Sequence, residues 1–147
     1  MKALFARLQK KLGDMSPVME EIGDIGISSI EKNIEAGGRY SSPESWRGGG
    51  KKWKPLAPAT IKARSKRGTW PGKILQESGE LMASISKAVT NDSVRIGSNK
   101  VQAAIMQFGG KAGRGRKVTI PARPYLVFQP EDIEEMKHAV EDYLVGK

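Results

Sequence analysis

The chain holds one histidine, His138, and no cysteine, which removes the thiolate and paired-imidazole sets that hold zinc at the usual spacings. His138 follows Lys137 on the polar side of an expected helix, where a histidine is solvated rather than catalytic. Carboxylates occur as sequence neighbours, Glu20-Glu21 and Glu134-Glu135. Adjacent helical residues do not face one another, so neither pair is placed for acid–base work across a substrate. Ser78 lies in Glu77-Ser78-Gly79 rather than in G-x-S-x-G, so no nucleophile elbow is formed. Lys111–Lys117 reads KAGRGRK, without the G-x-x-x-x-G-K-[ST] order of a phosphate-cradling loop. No catalytic residue, cofactor site or metal ligand is assigned, and the expectation is a chain that is not an enzyme.

The remaining chemistry is charge. The net charge is +9, and it is unevenly placed. Residues 39–73 carry ten basic residues against one acidic, Glu44; residues 111–123 add five basic residues and no acid; the rest is net acidic. Glycine-rich basic segments of this kind meet phosphates or acidic surfaces. Lys51, Lys52, Arg114, Arg116 and Lys117 are therefore candidate contacts to DNA or to an acidic partner. Trp46, Trp53 and Trp70 interleave with the bases, which would suit stacking on nucleobases. Tryptophan equally anchors a loop on its own domain or on a partner subunit, and anchoring is the preferred reading. Trp53, Leu56 and Trp70 are the candidate subunit or partner interface. The segment 39–73 is polar, glycine-rich and weakly periodic, so it is expected to be mobile alone and ordered against a neighbour, with Trp53 and Leu56 as its anchors.

These residues need a scaffold. A length of 147 residues suits a single domain, 1–147, with a buried core. Leu4, Phe5, Leu8 and Leu12 make a short amphipathic stripe, expected to dock on the domain or on a neighbouring copy. Ser16-Pro17 is a helix start, and Val18, Ile22, Ile25, Ile30 and Ile34 form one face up to a stop at Gly37-Gly38. Gly23 and Gly26 inside that helix each cost about 1 kcal/mol against alanine; either they allow close packing of another helix or they are simply tolerated. Pro58–Arg67 predicts a short helix with Ile61 buried and Lys62, Arg64, Lys66 and Arg67 exposed.

Ile74–Gly110 is the densest stretch: Ser78 as a cap, a helical Leu81/Ile85 face, strands at Ser86–Thr90 and Ser93–Ile96 around an Asn91-Asp92 turn, then an apolar helix from Ala103. Lys111–Lys117 reads as a flexible basic loop and Lys117–Ile120 as a strand. Tyr125–Phe128 reads as a strand or as the entry to a last helix from Pro130-Glu131-Asp132, with Ile133, Met136, Val140 and Leu144 inward. The expected fold is α+β, with N- and C-terminal helices on a small, mainly antiparallel sheet and a long basic loop inserted. Its core should hold Ile22, Ile25, Leu81, Ile85, Ile96, Ile105, Phe108 and Leu126. No run approaches membrane-spanning length, and MKALFARLQKKLG lacks the unbroken apolar centre of a signal peptide. A soluble intracellular chain without membrane contact is the expectation.

Several short motifs in order carry a resemblance. W-K-P-L-A-P-A-T-I-K-A-R at Trp53–Arg64, L-x-x-S-G-x-L at Leu75–Leu81, V-x-I-G-S-N at Val94–Asn99, F-G-G at Phe108–Gly110 and A-R-P-Y-L at Ala122–Leu126 resemble the virion-morphogenesis, or tail-completion, family of contractile-tailed, Mu-like phages. The resemblance implies a structural neck component that caps the tail, helps join it to the head and resides in the virion after assembly in the host cytoplasm. It implies a ring of identical copies, six-fold, with the tail tube or terminator and the head connector as partners and non-specific contact with packaged DNA. The subunit number is left open by the residues themselves. The alternative is a non-specific nucleic-acid-binding protein, supported by charge and aromatics but without a helix-turn-helix, OB or RRM signature.

Overall fold

The computed structural model describes residues 1–39 and 52–146; Trp46 and Lys51 lie outside the described residues. Helix α1 (Lys2–Gly13) is followed after two residues by the long α2 (Ser16–Ala36). The helix begins one residue earlier than the serine–proline signal placed it. Met15 holds the cap position, and Asp14 Oδ1 accepts from the Ser16 amide at 3.0 Å and from its hydroxyl at 2.6 Å. Gly37, at φ 72°, ends α2 in the left-handed conformation, with the Gly38 amide returning to Asn33 O at 2.9 Å.

Helix α2 is the centre of the molecule. It packs on the hairpin of β1 (Ile85–Val89) and β2 (Val94–Ser98), and also on α6 (Pro130–Val145). The strands pair antiparallel from Ile85↔Ser98 to Val89↔Val94. Thr90 N bonds Ser93 O at 2.9 Å across the turn, and Asn91 O accepts from Met15 N at 2.8 Å, tying the turn to the start of α2. The two helix glycines face this hairpin, not another helix. A Cβ on Gly23 would lie 2.6 Å from Lys87 Cδ, and one on Gly26 would overlap Ile96 Cδ1 and lie 3.2 Å from Phe128 Cε1.

The α+β class holds, but the single sheet does not. Among the described residues there are two separate two-stranded sheets, β1–β2 and β3 (Gly110–Ala112)–β4 (Val118–Ile120). Helix α5 (Ala103–Phe108) intervenes in the chain, and β4 pairs with its own sequence neighbour, Gly110↔Ile120 to Ala112↔Val118. Residues 52–73 include α3 (Pro58–Lys66), the short helix expected over Pro58–Arg67. A short α4 (Glu80–Ala83) precedes the first hairpin, with Gly79 at the cap position and the Ser78 hydroxyl accepting from the Glu80 amide at 3.4 Å.

Val18, Ile30, Ile34 and Tyr125 are essentially inaccessible, joined by Trp53, Leu81, Ala103 and Val127. Burying an isoleucine or valine of this kind stabilises by roughly 1.5–3 kcal/mol. Of the core expected from the sequence, Leu81 is buried, and Ile22, Ile25, Ile85, Ile96, Ile105 and Leu126 are half-buried. Phe108 is 63% exposed. The reason is helical phase: α5 turns Ala103 and Gln107 inward, four residues apart, and Phe108 falls off that face. Arg64 is likewise buried, not exposed. It lies three residues after half-buried Ile61, on the face of α3 that meets residues 73–77, where Nη1 donates to Lys73 O at 2.9 Å.

The stretch leading into α6 is neither ladder strand nor helix. Its backbone is served largely by side chains. Pro124 O accepts from Asn33 Nδ2 at 2.8 Å and from Trp53 Nε1 at 3.1 Å. Gln107 Oε1 accepts from the Tyr125 and Leu126 amides at 3.0 and 2.9 Å. Arg123 N bonds Met106 O at 2.8 Å. Helix α6 then opens with a reciprocal cap: Asp132 Oδ2 accepts from Gln129 N at 2.7 Å and also takes the hydroxyl of Ser29 on α2. Asp132 was expected only as a dipole complement; at 3% exposure it is an interior link between α2 and α6.

Two stability outcomes follow. Gly26→Ala is expected to lower the melting temperature, because overpacking of about 1–3 kcal/mol exceeds the roughly 1 kcal/mol helix-propensity gain. Gly13→Ala, with open space around it, is expected to raise the melting temperature slightly; the same rise for Gly26→Ala would disprove the close packing. Trp53→Phe keeps one aromatic ring, removes one of two donors to Pro124 O and leaves a void where the second ring lay, for a loss of about 1 kcal/mol or more. Combined with Asn33→Ala it should lose more than the two single losses together, by about 0.5 kcal/mol or more in denaturant titrations. Strict additivity would show that the shared carbonyl is not the link.

Candidate interaction site

The basic loop 111–117 is built as a hairpin rather than as a flexible loop. Strands β3 and β4 hold its base, and a 3-10 turn at Arg114–Arg116 forms its tip. Gly113 and Gly115 take φ of 79° and 71°, and Arg116, at φ 53°, also sits in the left-handed region. A non-glycine residue there carries backbone strain of order 1 kcal/mol. The turn therefore holds Arg114, Arg116 and Lys117 outward against a local cost, and all three are exposed. Among the described residues none of them has a carboxylate within ion-pair distance.

Several basic side chains elsewhere are paired. Lys87 Nζ lies 2.6 Å from Asp24 Oδ1 and 2.7 Å from Glu20 Oε2. Its ammonium is held above the usual lysine range, first by the Asp24 hydrogen bond and then by that of Glu20. Glu77 accepts from Arg67 Nε at 2.8 Å and from Thr69 Oγ1 at 2.9 Å, which keeps its carboxyl below the usual range, the Arg67 bond contributing most. Lys73 pairs with Glu35.

The residues singled out as an interface are not brought to one surface. Trp53 is in the core of its own chain at 6% exposure, with its indole N–H on Pro124 O. Gly38 makes room for it: at φ 100°, a Cβ there would lie 2.7 Å from Trp53 N. Leu56 is half-buried on the wall of a cavity that it shares with β4, and Trp70 is half-buried and does not line that cavity. Lys52 is exposed beside Trp53, and Lys51 lies outside the described residues. Helix α1 has no buried residue; it meets α6 through Lys11, whose ammonium donates to Tyr143 O and lies 5.0 Å from the Tyr143 ring centroid. Leu4, Phe5 and Leu12 remain exposed.

Sequence reasoning missed the two buried arginines, Arg64 and Arg123, and the two buried amides, Asn33 and Gln107. One signal was present for Arg123: two prolines bracket Ala122-Arg123 and hold it extended. The others read as ordinary helix-surface residues.

Among the described residues no group of three or more His, Asp or Glu is placed to hold a metal ion. No described helix is long and apolar enough to cross a membrane. No solved structure matches the chain. It is 36% identical over 137 residues to "Mu-like prophage FluMu G protein 2" of Haemophilus influenzae, covering 93% of this chain and 83% of that one. It is 33% identical over 115 residues to "Putative capsid assembly protein G" of Escherichia phage Mu, covering 78% of this chain and 69% of that one. The profile of the phage virion morphogenesis family matches residues 1–145, and the chain belongs to that family.

Proposed function

We propose that the protein is a non-enzymatic tail-completion or neck component, which caps a phage tail and joins it to the head. The observation that carries the reading is the family match along residues 1–145, combined with a strained hairpin that presents Arg114, Arg116 and Lys117 without intramolecular carboxylate partners among the described residues. In this reading identical copies close into a ring, six-fold, by heterologous contacts. The ring lies between the tail tube or terminator and the head connector, in the neck of the virion. The hairpin tips then face packaged DNA or an acidic neighbouring ring, where repeated copies multiply a charge that one subunit presents only weakly.

The printed name of the phage Mu relative points to capsid assembly, and that second reading gives a clean contrast. Removing the protein from a phage that encodes it should leave DNA-filled heads and finished but separate tails in electron micrographs. Absent or malformed heads would overturn the neck reading in favour of a head role.

The charge outcome is separate. Replacing Arg114, Arg116 and Lys117 together by glutamine should leave the melting temperature nearly unchanged, since all three side chains are exposed, and should impair head–tail joining or DNA retention. DNA binding by the assembled wild type should be sequence-independent and fall with salt at a log–log slope of about −0.9 per phosphate neutralised. Tight, sequence-selective binding by a monomer would instead make this a nucleic-acid-binding protein.

A further inference from the structure

Between α3, residues 75–81, α5 and β4 lies a cavity of about 460 Å³, a size typical of small-ligand pockets. Leu56, Leu81, Met106 and Ile120 give it apolar walls, and charged groups of both signs line it: the cations of Lys54, Arg64 and Arg123, and the carboxylates of Glu77 and Glu80, which already pair with Arg64 and Arg67 and with Lys100. Arg64 and Arg123 are each only 6% exposed. Arg64 has a counter-charge, with Nε 3.4 Å from Glu77 Oε2, although that carboxylate is shared with Arg67. Arg123 has none among the described residues. Its guanidinium donates to two backbone carbonyls, Lys54 O at 3.2 Å and Pro55 O at 3.1 Å. Burial pushes its pKa down from the usual arginine value, and the like charge of Arg64 adds to the effect.

A buried cation without an anion is an unusual arrangement, because charges taken out of water are normally paired. The cavity is where the missing anion would sit. Its apolar walls disfavour a bare, strongly hydrated phosphate and suit a charge carried between apolar groups. One wall is β4, which pairs only with β3 among the described strands, so an open strand edge is available to an extended chain.

We propose that this cavity is a receptor for a side-chain carboxylate flanked by apolar residues on an extended peptide segment of a partner protein, with Arg123 as its principal counter-charge and Arg64 beside it. The proposal stands on the cavity itself and does not require the head–tail reading. The test is calorimetric titration of the full chain with two blocked tripeptides, acetyl-Leu-Asp-Leu-amide and acetyl-Leu-Asn-Leu-amide. Saturable one-to-one binding is expected for the aspartate peptide, at least about tenfold tighter than for the asparagine peptide, the difference set by a charge-assisted hydrogen bond. Arg123→Gln, checked for fold by circular dichroism, should abolish that preference. Because Arg123 also holds two carbonyls, Thr60→Trp provides the second variant: Thr60 is exposed on α3 at the cavity wall, both arginines stay, and the indole should block entry. Equal affinity for the two peptides, no heat with either at millimolar concentration, unchanged binding by Thr60→Trp, or displacement of the aspartate peptide by equimolar inorganic phosphate would each overturn the proposal.

Discussion

The carbonyl of Pro124 is the point on which the fold converges. It accepts from Asn33 of α2 and from the Trp53 indole, so one oxygen joins the long central helix, the segment just before α3 and the approach to the last helix. A proline supplies no amide, and the extended residues around it join no regular sheet. Buried backbone groups must still be paired. Gln107 answers for the next two amides and Met106 O for the preceding one. Replacing a strand ladder by side-chain partners makes this segment dependent on a few particular residues, and a half-satisfied network of this kind is costly.

Charge is sorted by the same architecture. The acidic residues of α2 meet lysines that arrive from elsewhere in the chain, Glu20 and Asp24 pairing with Lys87 and Glu35 with Lys73. Three of the acids on the central helix are thereby paired, while the β3–β4 hairpin displays Arg114, Arg116 and Lys117 with no carboxylate partner among the described residues. Exposed pairs of this kind add little to stability. Their effect is on where the uncompensated field lies, which is the property an assembly protein presents to its neighbours.

Local patterns in the sequence were legible and long-range destinations were not. The β1–β2 hairpin followed from alternation around Asn91-Asp92, and α6 from Pro130-Glu131-Asp132, because both signals are contained in a few consecutive residues. Gly23 and Gly26 were compatible with a close helix or with mere tolerance, and nothing local says that a hairpin arrives there. Trp53 read as an anchor against a neighbouring subunit or partner, and the structure places it in its own core, because its indole N–H finds Pro124 O within the chain. Phe108 was misjudged because a six-residue helix has one narrow inner face, and its phase is set by Ala103 and Gln107. Arg64 and Arg123 were assigned by residue type to the surface or to no role; their burial depends on backbone carbonyls at Lys73, Lys54 and Pro55 that only the tertiary fold brings near. The second sheet was invisible because Gly110–Ala112 carries no strand pattern at all.

The claim that side chains stand in for a missing strand is tested most directly by hydrogen exchange at single amides. Native-state exchange resolved by NMR should show the Tyr125 and Leu126 amides protected to nearly the level of amides in α2, and Gln107→Ala should release both of them while leaving the β1–β2 hairpin amides protected. Fast exchange at Tyr125 and Leu126 in the wild type, at the rate of an open loop, would contradict the account.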